Sequence, residues 1–248
     1  MKKTFKRHIK NFIRDSFGSI YYHSYKRFSN EQGNRSLIYH AFGLKLKHDT
    51  YGISIDINKF NEHIKYLYEN YKIISLKDYG NYDSNSVSIT IDDGYKDTIS
   101  AIDILNSYDM PFDLFITTDN IDKKNHLSSQ DIRDIASLNI ANIGSHGCSH
   151  NRLTDLNSSQ QSNEINESKE KLENIIGSKI ESYSYPHGSH NAKTLKIMEL
   201  SGYNYAASSI KGLNCKLTSK YILRRSEIIS TDTIKDVSKK IRGYYDYY

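Results

Sequence analysis

The chain has no tryptophan, two prolines and two cysteines in 248 residues, and each scarcity excludes something. Two cysteines, Cys148 and Cys215, cannot staple a fold of this length, which sets aside the disulfide-framed secreted domains and points to a reducing compartment. No long low-complexity segment and no internal repeat occurs. Nor is there an apolar run long enough to span a bilayer, or an uninterrupted one of the kind a secretory signal carries, although MKKTFKRHIKNFIRDSFGSIYY opens on basic residues. A cytoplasmic protein is expected. The net charge of +5 has no nucleic-acid-binding signature beside it, and with lysines and arginines scattered along the chain no nucleic-acid partner is expected.

What is present suits one large α/β domain behind a short N-terminal extension. A hydrophobic fraction of 37 % over this length is enough to bury a substantial core. Residues 1–35 read as a basic helix and linker, and 36–248 as the domain proper. In the extension Phe5, Ile9, Phe12, Ile13 and Ser16 recur at helical spacing, with Lys2, Lys3, Lys6, Lys10 and Arg14 largely between them. That pattern fits an interfacial helix making peripheral contact with the inner face of a membrane, and equally a helix packed on the domain. Tyrosine is abundant at 21, and such rings can stack on sugars, although compositional drift explains most of them.

From Ser36 the pattern alternates strand and helix. SLIYHAF (Ser36 to Phe42), KIISL, SVSITI (Ser86 to Ile91), FDLFIT (Phe112 to Thr117), NIANIG, ESYSY, YNYAASS and YILRRSEI read as strands. Helical periods fall around Phe60 to Tyr68, Asp97 to Tyr108, Ser129 to Leu138, Ser158 to Ile176 (ended by Gly177), Asn191 to Leu200 (ended by Gly202) and Thr231 to Ile241. A βαβα series implies a mostly parallel sheet, open or closed into a barrel, with its active site at the carboxyl ends of the strands.

Three motifs lie at such ends. SITIDDGYKD puts Asp92 and Asp93 directly after a strand, where one carboxylate can bind metal while its neighbour handles protons; because a helical period follows, Asp-Gly here is a strand-to-helix loop and not a hairpin turn. NIGSHGCSH places His146 and His150 four apart, a spacing that turns both imidazoles to one point on a helical turn, with Cys148 between them pointing elsewhere. In YSYPHGSHN, Pro186 and Gly188 flank His187 and constrain the backbone so that its N–H can face an oxyanion.

In this order the three motifs resemble the polysaccharide deacetylase family, the chitooligosaccharide-deacetylase-like carbohydrate esterases of family 4, over most of the chain from SLIYHAF to YILRRSEI. The resemblance implies an irregular (β/α) barrel, a divalent metal ion, usually zinc, and removal of N-acetyl or similar acyl groups from amino sugars. It makes Asp92 the catalytic base and Asp93, His146 and His150 the metal ligands. The third motif departs from the family's Arg-x-Pro-Tyr-Gly, with Ser184 in place of arginine and His187 in place of the aromatic. Arg225 in YILRRSEI looks like an arginine that related exopolysaccharide deacetylases place near the base, and is expected to stand in for the missing one. No histidine follows His190, so the family's late Leu-x-His proton donor is absent; His187 is the first candidate for that role and His40 the second. His40, Tyr185, Pro186 and Arg225 are expected to bind substrate or support the base.

The expected function is therefore metal-dependent hydrolysis of an N-acyl amino sugar, as a nucleotide-linked or lipid-linked precursor in surface-glycan biosynthesis or an oligosaccharide. The alternatives are a non-sugar amidase of the deformylase or cyclic-imide hydrolase type, which would keep every ligand, and a non-catalytic glycan-binding protein on the same fold.

Overall fold

The computed structural model describes residues 2–29, 31–80 and 85–247, with side chains from Ile13 onward. Helix α1 (Lys2–Ser24) leads through a 3-10 turn (Lys26–Phe28) to β1 (Asn34–Tyr39). There follow α2 (Ile57–Asn70), β2 (Lys72–Ile73), β3 (Ser86–Ile91), α3 (Thr98–Ser107), β4 (Phe112–Ile116), α4 (Ser129–Ala136) and β5 (Ala141–Ser145). The chain ends with α5 (Ser158–Ile176), β6 (Ser182–Ser184), α6 (Ala192–Leu200), β7 (Tyr205–Ala207), β8 (Arg225–Glu227) and α7 (Ile234–Ile241). The strands pair in the order β7-β6-β5-β4-β3-β1-β8, all parallel, with β2 on the amino half of β3. A bridge from Ala207 to Leu223, just before β8, draws the two edges toward each other. The result is the nearly closed, irregular (β/α) barrel that the alternation and the resemblance led us to expect.

The strands alternate, but not between core and water. In β3, Val87, Ile89 and Ile91 join the apolar layer under the helices, while Ser86, Ser88 and Thr90 are buried in the barrel interior. Polar groups in such an interior need partners. Asn34 donates to Ser88 Oγ at 2.9 Å, Ser36 Oγ to Asn34 Oδ1 at 2.7 Å, and Asn214 Nδ2 to the Arg224 carbonyl at 2.9 Å. Outside, α2 starts on Asp56, which accepts from Asn58 and Lys59 N–H, and buries Phe60, Ile64 and Leu67 along one face.

Two expectations change. KIISL is strand only at Lys72 and Ile73, because Leu76 N–H turns inward to donate to the buried Asp113 carboxylate at 2.6 Å. From Arg14 onward α1 belongs to the body and is no mere extension: Asp15 takes Lys239 Nζ at 2.7 Å and the Tyr245 hydroxyl at 2.9 Å, Tyr22 stacks on Tyr244 with ring centroids 4.0 Å apart, and a Cβ on Gly18 would meet the Tyr244 carbonyl at 2.7 Å. The apolar positions Ile13, Phe17 and Ile20 point outward. The side chains of Phe5, Ile9 and Phe12, expected on the apolar face, lie outside the described residues.

Candidate active site

At the carboxyl end of β3 the chain keeps its pairing for one more residue, Asp92 N–H donating to the Tyr39 carbonyl at 2.9 Å, and then reverses through two left-handed residues, Asp93 (φ 76°) and Gly94 (φ 78°), into α3. This reversal aims the two carboxylates apart. Asp92, 3 % exposed, faces the interior, where Arg225 grips both its oxygens at 2.8 Å and Ser184 Oγ donates to Oδ2 at 3.1 Å. The guanidinium also donates to Ser184 Oγ at 2.6 Å, Thr90 Oγ1 at 2.9 Å and the Ser208 carbonyl at 3.0 Å. Burial pushes the Asp92 pKa up, but the charges of Arg225 and His146 and the Arg225 hydrogen bonds outweigh it and hold the carboxyl below its ordinary range. Arg225 thus holds both oxygens of Asp92, and Ser184, where the third motif has no arginine, adds one hydrogen bond of its own.

Asp93 faces two imidazoles. Its Oδ1 lies 3.5 Å from His146 Nε2 and 3.1 Å from His150 Nε2, and one ligand atom from each of the three residues lies within 4.8 Å of the others. His146 Nδ1 is 2.7 Å from the Ser184 carbonyl, an acceptor only, so it carries the hydrogen and leaves the Nε2 lone pair facing Asp93. Asp93 Oδ1 is buried with no hydrogen bond of good geometry. Burial lowers the His146 pKa, yet Asp92 and Asp93 more than reverse this and hold it above the ordinary value. A buried carboxylate oxygen without a partner, two imidazoles converging on it and a negative local potential fit a divalent cation.

The His146–His150 segment is not the helical turn its spacing suggested. Gly147 (φ 75°) and His150 (φ 64°) both take left-handed conformations, and the loop swings His150 back over Asp93. Glu164 on α5 holds that loop by accepting from Cys148 N–H at 2.8 Å, Ser149 N–H at 3.0 Å and the Ser149 hydroxyl. Neither Glu164 nor Asp97, which accepts from Phe42 and Leu44 N–H at 2.7 and 2.8 Å and so anchors the loop after His40, was picked out from sequence. In sequence Asp97 reads as an ordinary N-cap of α3, and only the fold shows its carboxylate turned to Phe42 and Leu44 instead. Cys148 is half-buried against the Asn163 and Glu164 carbonyls and is not in the ligand group.

His187 sits at φ 56° between Pro186 and Gly188, its ring 4.5 Å from that of His150. Burial, then the neighbouring charges of His150 and Arg152, push its pKa down to about 4, so its imidazole is neutral near pH 7. His40 is near enough for its charge to depress the pKa of both aspartates, and its Nδ1 is buried without a partner. Pro186 lies under the loop at Gly147, 3.6 Å from where a Cβ would stand. Tyr185 is elsewhere: it packs in the apolar layer beside Tyr183 and donates to the Tyr221 carbonyl at 3.0 Å, supporting the loop from behind.

The model of the polysaccharide deacetylase family matches residues 79–206. YxkH of Bacillus subtilis (strain 168), provisionally named as a polysaccharide deacetylase, is 30 % identical over 179 residues; the match covers 68 % of this chain and 64 % of YxkH, so the chain spans less than two thirds of that relative. Among solved structures, BC0361, a polysaccharide deacetylase from Bacillus cereus, superposes with a TM-score of 0.75 at 22 % identity, over 86 % of this chain and 70 % of its own. The Streptococcus pyogenes deacetylase PplD, solved with acetate, gives 0.76 at 18 % identity, over 86 % and 99 %. At these identities the structural matches establish the fold.

Proposed function

Because the chain belongs to the polysaccharide deacetylase family, we propose that it is a metal-dependent hydrolase removing an N-acetyl or similar acyl group from an amino sugar. One observation carries the reading: Asp93, His146 and His150 converge on one point beside an aspartate that Arg225 keeps ionised. Asp93, His146 and His150 would hold the cation, for which zinc is expected from their nitrogen and oxygen donors. When bound, it supplies a Lewis acid that polarises a carbonyl and lowers the pKa of water to about 7.

Asp92 accepts the proton of the attacking water, its direction set by the two Arg225 hydrogen bonds and by Ser184. To the backbone N–H of His187, at the left-handed turn between Pro186 and Gly188, we assign a hydrogen bond to the oxyanion of the tetrahedral intermediate. A neutral His187 ring suits lining the site better than donating a proton, so we assign protonation of the departing amine to His40, which lies near enough for its charge to act on both Asp92 and Asp93. For substrate we favour a sugar on a nucleotide or lipid carrier over finished polymer. The free thiols of Cys148 and Cys215 support a reducing, cytoplasmic setting.

Hydrolysis by the metal-loaded protein tests this, read as acetate release from N-acetylhexosamine oligosaccharides and from nucleotide-linked and lipid-linked N-acetylhexosamines, as formate release from formylated amines and as ring opening of cyclic imides. Turnover is expected with the sugars alone. Turnover of an imide or formamide with none of the sugars would move the chain to the amidase reading, and metal binding with no turnover at all would make it a glycan-binding protein.

A further inference from the structure

We infer that α1 docks the protein flat on an anionic lipid surface through a stripe formed by Ile13, Phe17 and Ile20. These side chains are 48 %, 59 % and 64 % exposed and, spaced by four and three residues, lie on one side of the helix. The opposite side is committed to the body through Asp15, Gly18 and Tyr22, so the helix cannot roll to bury the stripe. Tyr25 and Phe28, 63 % and 73 % exposed, continue the apolar surface past the helix end.

Charge identifies the occupant. Residues 1–28 contain eight lysines and arginines (Lys2, Lys3, Lys6, Arg7, Lys10, Arg14, Lys26, Arg27) against one acid, Asp15, a balance of +7. The whole chain is +5, so the other 220 residues balance at −2, and the excess of positive charge belongs to this segment alone. Five of the eight basic residues, Lys2, Lys3, Lys6, Arg7 and Lys10, precede Ile13 in the sequence of α1. Basic charge in the same helix as an exposed apolar stripe is the chemistry of a phospholipid headgroup layer. A second copy of the chain is disfavoured, since pairing stripe to stripe would bring two segments of +7 together. No described helix is long and apolar enough to cross a membrane, which leaves a helix lying on one.

The geometry also fixes how the barrel would sit. Arg14 shares a cavity with Ser226, Glu227 and Ile229 around the carboxyl end of β8, whereas Tyr22 and Lys26 share one with Arg35 and Ser86 at the amino ends of β1 and β3. Helix α1 thus descends the flank of the barrel from the catalytic end downward. Docked through its outer side, it lays the barrel axis along the membrane with the site opening sideways over the headgroups.

Flotation of the full chain with vesicles tests the inference. Binding is expected to vesicles of phosphatidylglycerol and phosphatidylcholine, not to phosphatidylcholine alone, and should weaken as salt is raised. The double variant Phe17→Ser/Ile20→Ser and the triple variant Lys2→Glu/Lys6→Glu/Lys10→Glu should each bind on the order of tenfold more weakly or worse, while melting temperature, metal content and acetate release from a soluble substrate stay unchanged. That last measurement separates loss of docking from failure of the deacetylase reading. Equal binding to neutral vesicles, no binding to anionic ones, variants that bind like the parent, or a parent dimer that Phe17→Ser/Ile20→Ser dissolves would each overturn it.

Discussion

Asp92 and Asp113 stand on or just after neighbouring strands, both wholly buried, and they titrate in opposite directions. Asp113, in the lower interior on β4, accepts from Leu76 N–H, Ser75 Oγ, Asn142 Nδ2 and the Tyr205 hydroxyl, all neutral. Burial outweighs these four and holds its pKa above the ordinary value. Asp92 meets the same penalty, and Arg225 reverses it. Neutral donors make a buried carboxyl tolerable, whereas a buried cation makes it an anion poised for chemistry.

The sharpest break in this contrast is Asp92→Asn, which should lower kcat by about 10²–10⁴-fold with metal content unchanged, since the proton acceptor is lost and Asp93, His146 and His150 stay; full activity in that variant would remove Asp92 from the mechanism. Next is Arg225→Ala, which leaves Asp92 buried without its cation and should destabilise the fold by on the order of 3–5 kcal/mol. In Arg225→Lys, one point charge replaces the two-pronged grip, and the acidic limb of the pH-rate profile should move to higher pH as Asp92 becomes easier to protonate. An unmoved limb would mean that Arg225 does not tune the base.

Stability against pH should separate the two aspartates. With a folded pKa below its unfolded value, Asp92 contributes stability above the unfolded pKa and loses it as pH falls through the folded one; Asp113, with a raised folded pKa, contributes below its unfolded pKa and loses it as pH rises through the folded one. Urea midpoints measured from acid to neutral pH should therefore fall less steeply toward neutral pH in Asp113→Asn than in the parent. The smallest effect is expected from Ser184→Ala, which removes one of three hydrogen bonds on Asp92 and should cost about 1 kcal/mol and a few-fold in rate.

The parts of the site that could be read from sequence were local. Asp92, Asp93, His146 and His150 stand directly after strands whose apolar pattern is plain, so their place at the barrel mouth follows from strand and helix alternating. Glu164 and Asp97 act on loops 15 and 53 or more residues away in sequence, a relation that exists only after the helices have packed. The shape of the His146–His150 loop was misjudged because Gly147 permits a left-handed turn that helical spacing does not anticipate. Tyr185 was misplaced by one step of strand alternation: sequence shows that residues alternate, not which face is the barrel interior, and here that face is lined with serine and threonine.

Arg225 has one further consequence. From β8 its guanidinium reaches Thr90 on β3, Ser184 on β6 and the backbone just beyond β7, crossing the seam where the ring of strands has no continuous ladder. The same side chain is thus the buckle of the barrel and the clamp on Asp92. Parting the seam would take Ser184 and the Ser208 carbonyl away from the guanidinium, whereas Asp92, joined to β8 through β1 and β3, would stay with Arg225 and keep its two direct hydrogen bonds.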